Sequence, residues 1–479
     1  MQATSSASSD ARLTEARALY QADEPARAEV LLRALQQRDP ASEEVGMLLA
    51  NVQRSQGRFS AAAETLFTLS RANDFAAGMS LRSVDFIRQC DRHAVAESIC
   101  VAALARGNVP AELLMQAGNV ARELGQFDTA RTRYLAALDA GIDLDRHHVL
   151  NALANTRRYV DPVDVEIGWF ARHFAAGRLP PRALASAGFA LAKAQGDLGE
   201  HAAAAQTLQR ANKILHGVWR WDADAWQRFV AARMQEIVAP ANGEPGRAFV
   251  PVFIIGMPRT GTTLTATLLA QATGARDRGE LRTLRFVAER LVVGGHLGSQ
   301  AAIAEAARLY RTLAVQDDAP ASWYIDQDPM NFRYLHVVAA MFPQARVIHL
   351  RRGRADTALS LWAQDFAHAD LGFAYDFADM RACMTGHDAL MQHWQRTLPL
   401  SIFELDYETL VSEPDATLAR LGAFIGAPPR ARAQDGEVPA PVLSASVWQA
   451  RQPVYRTSVG RWRAYAPFVP ELARFAGIP

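Results

Sequence analysis

The densest chemistry in this sequence of 479 residues lies in one short stretch: Gly256-Met257-Pro258-Arg259-Thr260-Gly261-Thr262-Thr263. The apolar run Phe249–Ile255 before it reads as a buried strand, and an apolar helical pattern begins near Leu264 after it. Strand, glycine-containing loop and helix start together make a site for an anion, because backbone N–H groups converge there and the helix dipole favours negative charge. The pattern approaches G-x-x-x-x-G-K-S/T, but Thr262 stands where a nucleoside triphosphatase keeps its lysine. That lysine and a magnesium ion serve the β- and γ-phosphates of a triphosphate. Arg259, the only cation of the loop, is instead suited to a planar, bidentate grip on a phosphate or sulfate. Alone, such a segment also suits a structural turn.

Further blocks follow in order. Gly279-Glu280 offers a carboxylate that can take a proton, or one that merely favours a helix start. Asp326-Gln327-Asp328-Pro329-Met330-Asn331-Phe332 holds two acids around an amide. Arg352 ends an apolar run and Ser360 follows eight residues later, a guanidinium and a hydroxyl fit for a dianionic phosphate, or else an ordinary basic helix start. Asp406-Tyr407-Glu408-Thr409-Leu410-Val411 brings a tyrosine that either meets a ligand or fills the core. Ser446-Val447-Trp448 precedes Gly460-Arg461-Trp462, and Pro453 and Gly460 around these residues suit a mobile lid.

Over residues 250 to 465 these blocks resemble the sulfotransferases that use 3′-phosphoadenosine 5′-phosphosulfate (PAPS). Their 5′-phosphosulfate loop reads P-K/R-S/T-G-T-S/T, and its arginine form is similar to the protein-tyrosine sulfotransferases and their repeat-bearing relatives. The resemblance implies PAPS as co-substrate without a metal. It implies cofactor contacts from Arg259, Thr260, Gly261, Thr262, Thr263, Leu264, Arg352, Ser360, Tyr407, Ser446 and Arg461. Glu280 would be the base and Arg259 would act on the transferred group. The family's D-K-x-P-x-N-F block has a lysine where Gln327 stands, so a donor that cancels leaving-group charge becomes a neutral amide. Two rival readings stay open. One is a P-loop phosphotransferase, for which Asp326-x-Asp328 would hold a metal. The other is a catalytically degenerate sulfotransferase fold serving as a scaffold.

The elements that must position these residues are of two kinds. Apolar runs at 249–255, 345–350 and 401–405, with helical patterns between them, predict a parallel α/β sheet. Before them the chain is rich in Ala, Leu, Arg and Gln and repeats: Asp23, Gly57, Asp91 and Gly125 stand 34 residues apart at turn-like points. Ala28, Ala62, Ala96 and Ala130 follow in register, and a fifth unit fits at Ala192, Gly199, Ala204 and Leu208. This is similar to the tetratricopeptide repeat (TPR), a stacked solenoid with a concave face for a partner. The expectation is a multidomain chain: an all-α TPR-like solenoid at 10–217, a linker helix and loop at 218–247, and a P-loop-like α/β sulfotransferase domain at 248–479 with a parallel sheet.

Lys plus Arg (51) nearly balances Asp plus Glu (50), which points away from a nucleic-acid partner. The start has no signal-peptide pattern, no run suits a membrane span, and Cys90, Cys100 and Cys383 make no metal or disulfide framework, so the expected home is the cytoplasm. A protein or peptide acceptor held by the repeats, tyrosine included, is the expected partner, and carbohydrate, lipid and small phenolic acceptors stay open.

Overall fold

The computed structural model describes residues 2–107, 109–238, 249–318, 320–366, 369–429 and 457–477. Packing divides the chain into two compact units, Met1–Ile142 with Arg311–Pro320, and Asp143–Tyr310 with Ala321–Pro479.

The first unit is built from helical hairpins: α1 (Gln2–Gln21) with α2 (Pro25–Arg38), α3 (Glu43–Ser55) with α4 (Phe59–Ala72), α5 (Ala77–Gln89) with α6 (His93–Leu104), and α7 (Ala111–Glu123) with α8 (Phe127–Asp139). The 34-residue period marks their bends. Asp23, Gly57, Asp91 and Gly125 have φ of 60°, 72°, 57° and 78°. Glycine takes this left-handed conformation freely, and aspartate tolerates it better than most side chains. Ala28, Ala62, Ala96 and Ala130 are fully buried, as are Leu32, Leu66, Cys100 and Tyr134 one turn on. The small residues let helices approach and the larger ones fill the seam. Gly118 makes the need plain, since a Cβ there would lie 2.5 Å from the Tyr134 ring. Asp317 also belongs to this unit: it accepts from the N–H groups of Ser60 and Ala61 at the start of α4 and pairs with Arg92. A carboxylate at a helix N-terminus satisfies donors that lack intrahelical partners.

The second unit opens with α9 (Val149–Ala154), α10 (Val165–Ala176), α11 (Pro181–Asp197), α12 (His201–Val218) and α13 (Ala223–Gln235). Gly199, at φ 79°, bends α11 into α12, so the repeat register returns here. Packing nevertheless groups this hairpin with the sheet unit, ahead of the composition change near Pro240. Specific bonds account for that: Asn212 of α12 donates to the Trp362 carbonyl, and Arg182 of α11 binds Asp365 and the Phe366 carbonyl.

Five parallel strands follow in the order β2-β3-β1-β4-β5: β1 (Val250–Gly256), β2 (Arg276–Asp277), β3 (Trp323–Asp326), β4 (Arg346–Arg351) and β5 (Ser401–Asp406). The strands β1, β4 and β5 coincide with the three apolar runs. β2 and β3 have two and four residues, too short to show a period. The connecting helices are α14 (Thr262–Thr273), α15 (Thr283–Val293), α16 (Gln300–Val315), α17 (Leu335–Met341), α18 (Arg354–Trp362) and α19 (Phe377–Thr397). After β5 come α20 (Tyr407–Ser412) and α21 (Pro414–Ile425). One sheet face packs Val252, Ile254, Ile348, Leu350 and Leu405 against α14, α20 and α21. Helices covering both faces explain why β1 reads as an unbroken apolar run, while His349 and Glu404 interrupt β4 and β5.

Candidate active site

The loop after β1 is shaped by close contacts. Gly261, at φ 106°, precedes the first residue of α14, and a Cβ on it would fall 2.6 Å from the Tyr407 ring. Only glycine meets both demands. Arg259 carries a left-handed φ of 72°, a conformation that costs a non-glycine residue about 1 kcal/mol. Such outliers persist where surrounding structure fixes them. Here Arg259 Nε donates to Ser360 Oγ at 3.2 Å, and its carbonyl accepts from Arg352 Nη1 at 3.1 Å. Thr260 ties the loop to itself by donating to the Met257 carbonyl. The N–H groups of Thr262, Thr263 and Leu264 lie in the first turn of α14, where no intrahelical acceptor exists.

Arg352 is the hub. Its Nη2 donates to the Ser458 carbonyl at 2.8 Å, its guanidinium stands 4.7 Å from the Tyr407 ring centroid, and its Nε is buried without a partner. Tyr407 is itself buried, with its hydroxyl 2.8 Å from Ser458 Oγ. Of the two roles open to that tyrosine, the described contacts are those of a wedge with a satisfied hydroxyl, holding Gly261 on one side and Arg352 on another. Arg259, Gly261, Arg352, Ser360 and Tyr407 thus come together from four segments.

The C-terminal block behaves differently. Ser446 lies outside the described residues. Arg461 is exposed, with its guanidinium 5.9 Å from the Tyr465 ring. Its backbone neighbours carry the tether: Gly460 N and Trp462 N both donate to the Asp356 carboxylate, at 2.6 and 3.0 Å. Sequence reasoning passed over Asp356 and Ser458. Asp356 did carry a signal, an acid in the first turn of α18 beside Arg352. Ser458 carried none.

Glu280 sits between β2 and α15, ahead of the helix rather than within its first turn. The flanking backbone is laced to the end of β3: Gln327 N donates to the Gly279 carbonyl, and Leu281 N donates to Asp326 Oδ1. Desolvation by the surrounding protein, then the Asp328 carboxylate, push the Glu280 acid up to about 8, while Arg282 and Arg259 oppose them. The residue's own surface stays open to water, which screens these causes. Its neighbours are charge-starved as well. Burial, followed by Asp328, lifts Asp326 well above the carboxylate range; burial lifts Asp328 too. Gln327, 2% exposed, stands between these acids with its Oε1 buried and without a partner. Among the described residues no group of three or more His, Cys, Asp or Glu is arranged to hold a metal ion.

Residues 251–430 match the model of the sulfotransferase family, and residues 19–82 match that of the tetratricopeptide repeat. An uncharacterized protein of Aquifex aeolicus is 32% identical over 317 residues, 61% of this chain. The chain spans 41% of that relative's length. Among solved structures, the sulfotransferase domain of the curacin biosynthetic pathway is 16% identical at a TM-score of 0.33, covering 48% of this chain and 97% of its own. The sulfotransferase domain of the Synechococcus olefin synthase is 20% identical at a TM-score of 0.34, covering 50% and 99%. No helix among the described residues is long and apolar enough to cross a membrane.

Proposed function

Because the chain carries a sulfotransferase-family domain at residues 251–430 and tetratricopeptide repeats ahead of it, we propose that it transfers the sulfuryl group of PAPS to an acceptor hydroxyl. The observation that carries this reading is the meeting of Arg259, Arg352 and Ser360 around a glycine loop that lacks a lysine.

A nucleotide bearing a 5′-phosphosulfate and a 3′-phosphate fits these residues. The first-turn amides of α14 face one anionic end, and Arg352 with Ser360 offers a guanidinium and a hydroxyl to the other. PAPS would supply an activated sulfuryl group, and the chain's residues would orient and deprotonate what attacks it. In this reading Glu280 takes the proton from the acceptor hydroxyl, and the Arg259 guanidinium balances charge that grows on the departing phosphate. A carboxyl group pushed upward is a stronger base once ionised, which suits the removal of a weakly acidic proton. The acceptor in this account is a protein or peptide, tyrosine included, bound by the repeats. Work without a metal and a cytoplasmic setting belong to the same proposal.

Gln327 decides between an active enzyme and a degenerate scaffold. An amide can donate a hydrogen bond but brings no charge to the buried Asp326 and the half-buried Asp328 beside it. Incubation with radiolabelled PAPS and host lysate is expected to label a discrete acceptor. Gln327→Lys is expected to label it about tenfold faster, recovering part of the roughly 10²- to 10³-fold that a lost donor at such a site typically costs. Binding of adenosine 3′,5′-bisphosphate with no label transferred by either protein would favour the scaffold.

A further inference from the structure

On the face of β4 opposite Ile348 and Leu350, a chain of polar groups lies on the wall of a cavity of about 730 Å³ that also borders Met257, Thr260 and Arg352. None of it serves the chemistry above. His349 Nδ1 is 2.9 Å from Glu404 Oε1, His349 Nε2 is 3.1 Å from His387 Nε2, and His387 Nδ1 is 3.0 Å from Asp388 Oδ1. Asp388 in turn binds Arg354, the first residue of α18. Both imidazoles are buried, 4% and 5% exposed.

Counting protons exposes the consequence. A carboxylate only accepts, so each Nδ1 must carry hydrogen, and the contact between the two Nε2 atoms needs one more. Three ring protons on four nitrogens is one more than two neutral imidazoles hold. Neither acid is suited to hold that proton instead. Burial raises both carboxyls, but the hydrogen bonds of His349 and His387, with Arg351 and Arg354 nearby, outweigh it and keep Glu404 and Asp388 below their ordinary range. With the third proton bound, all three links close. Without it, one link must open.

We propose that His349 and His387 form a shared-proton site that positions the Arg352–Arg354 turn, so that the nucleotide grip tightens when the couple carries its third ring proton. The nucleotide half of this rests on the function proposed above. The turn is held from several sides: Arg351 by Glu404 and Asp406, the Gly353 N–H by Glu408, and Arg354 by Asp388. Asp388 and Glu404 are the members bonded to the couple, one to each ring. Phe332 closes another side with its ring 4.7 Å from that of His387, and Met384 and Met391 line the cavity. Burial pushes the His387 imidazole below its ordinary value, against the pull of Asp388. The third proton therefore binds on the acid side of neutrality, and nucleotide affinity rises as pH falls through that range.

Long-range ¹H–¹⁵N correlation on histidine-labelled full-length protein tests the couple from about pH 8 to about pH 5. Both rings are expected to respond at shared midpoints, and His387→Gln is expected to move the response of His349. Independent titrations, or an indifferent His349, would overturn the couple. If His387→Gln does not fold, Asp388→Asn serves, and removal of that anion is expected to lower the shared midpoint; an unmoved midpoint contradicts the proposal. Adenosine 3′,5′-bisphosphate affinity, measured over the same range, is expected to rise about fivefold more in the wild type than in the variant. The nucleotide's own protonation affects both proteins alike, so equal slopes would sever the couple from the grip. A nucleotide that binds at no pH would instead overturn the nucleotide reading, while the ring titrations still judge the couple.

Discussion

Glu280→Ala is expected to lower turnover by about 10²- to 10⁴-fold, the range that a positioned general base supplies, and to leave adenosine 3′,5′-bisphosphate affinity within about twofold. The sign of the pH dependence follows from the same residue. A base works only when ionised, so wild-type kcat/KM should climb as pH rises through the Glu280 titration. Desolvation and Asp328 place that limb above the ordinary glutamate range. The residual activity of the variant should lack the limb. Near-wild-type turnover with intact nucleotide binding would remove Glu280 from the reaction. A retained limb would assign the titration to another group, Asp328 being the nearest by its own upward shift.

Arg352→Ala is the second large effect. It removes a guanidinium that binds the carbonyls of Arg259 and Ser458 and lies over Tyr407. Hydrogen bonds to charged groups contribute about 1.5–3 kcal/mol each, and about 1.4 kcal/mol is a factor of ten in affinity. A loss of about 10²-fold or more in nucleotide affinity is expected. Arg352→Lys should not restore it, because an ammonium cannot reach two diverging carbonyls and a ligand with a planar fork. Titration calorimetry on both variants reads this directly, and affinity unchanged in Arg352→Ala would mean that the residue merely staples the C-terminal segment.

Different parts of the molecule were legible to different degrees, for physical reasons. The hairpin bends of the first unit could be read because left-handed backbone restricts residue choice, and Asp23, Gly57, Asp91 and Gly125 keep that restriction in phase. The strands β1, β4 and β5 showed themselves by apolar runs, buried on both faces in β1 and most of β4 and only partly buried in the edge strand β5, which supported the α/β fold class. β3 did not, since its four residues are followed at once by Gln327 and Asp328. The extent of the second unit was hidden for another reason. What draws α11 and α12 to the sheet unit is a handful of long-range bonds, such as Asn212 to the Trp362 carbonyl, and these leave no local pattern.

The site divides the same way. Gly261 and Arg259 are dictated by the local loop and stood out at once. The bond from Arg352 to Ser458 joins positions 106 residues apart. The Asp356 tether to Gly460 and Trp462 is equally remote, so only the folded chain reveals it. Arg461, placed by motif alone, contacts Tyr465 through its side chain, and its neighbours' backbone makes the connection to α18.

The proposed pocket would grip an adenine nucleotide through loop amides and arginines, with neither a P-loop lysine nor a metal. Titration calorimetry of the full-length protein with adenosine 3′,5′-bisphosphate, in the presence of a chelator, addresses it without knowledge of the acceptor. Saturable binding at one site per chain, unchanged by the chelator and abolished by Arg352→Ala, is the expected result. No heat of binding from a folded protein, or binding that appears only when a divalent metal is added, would contradict the account.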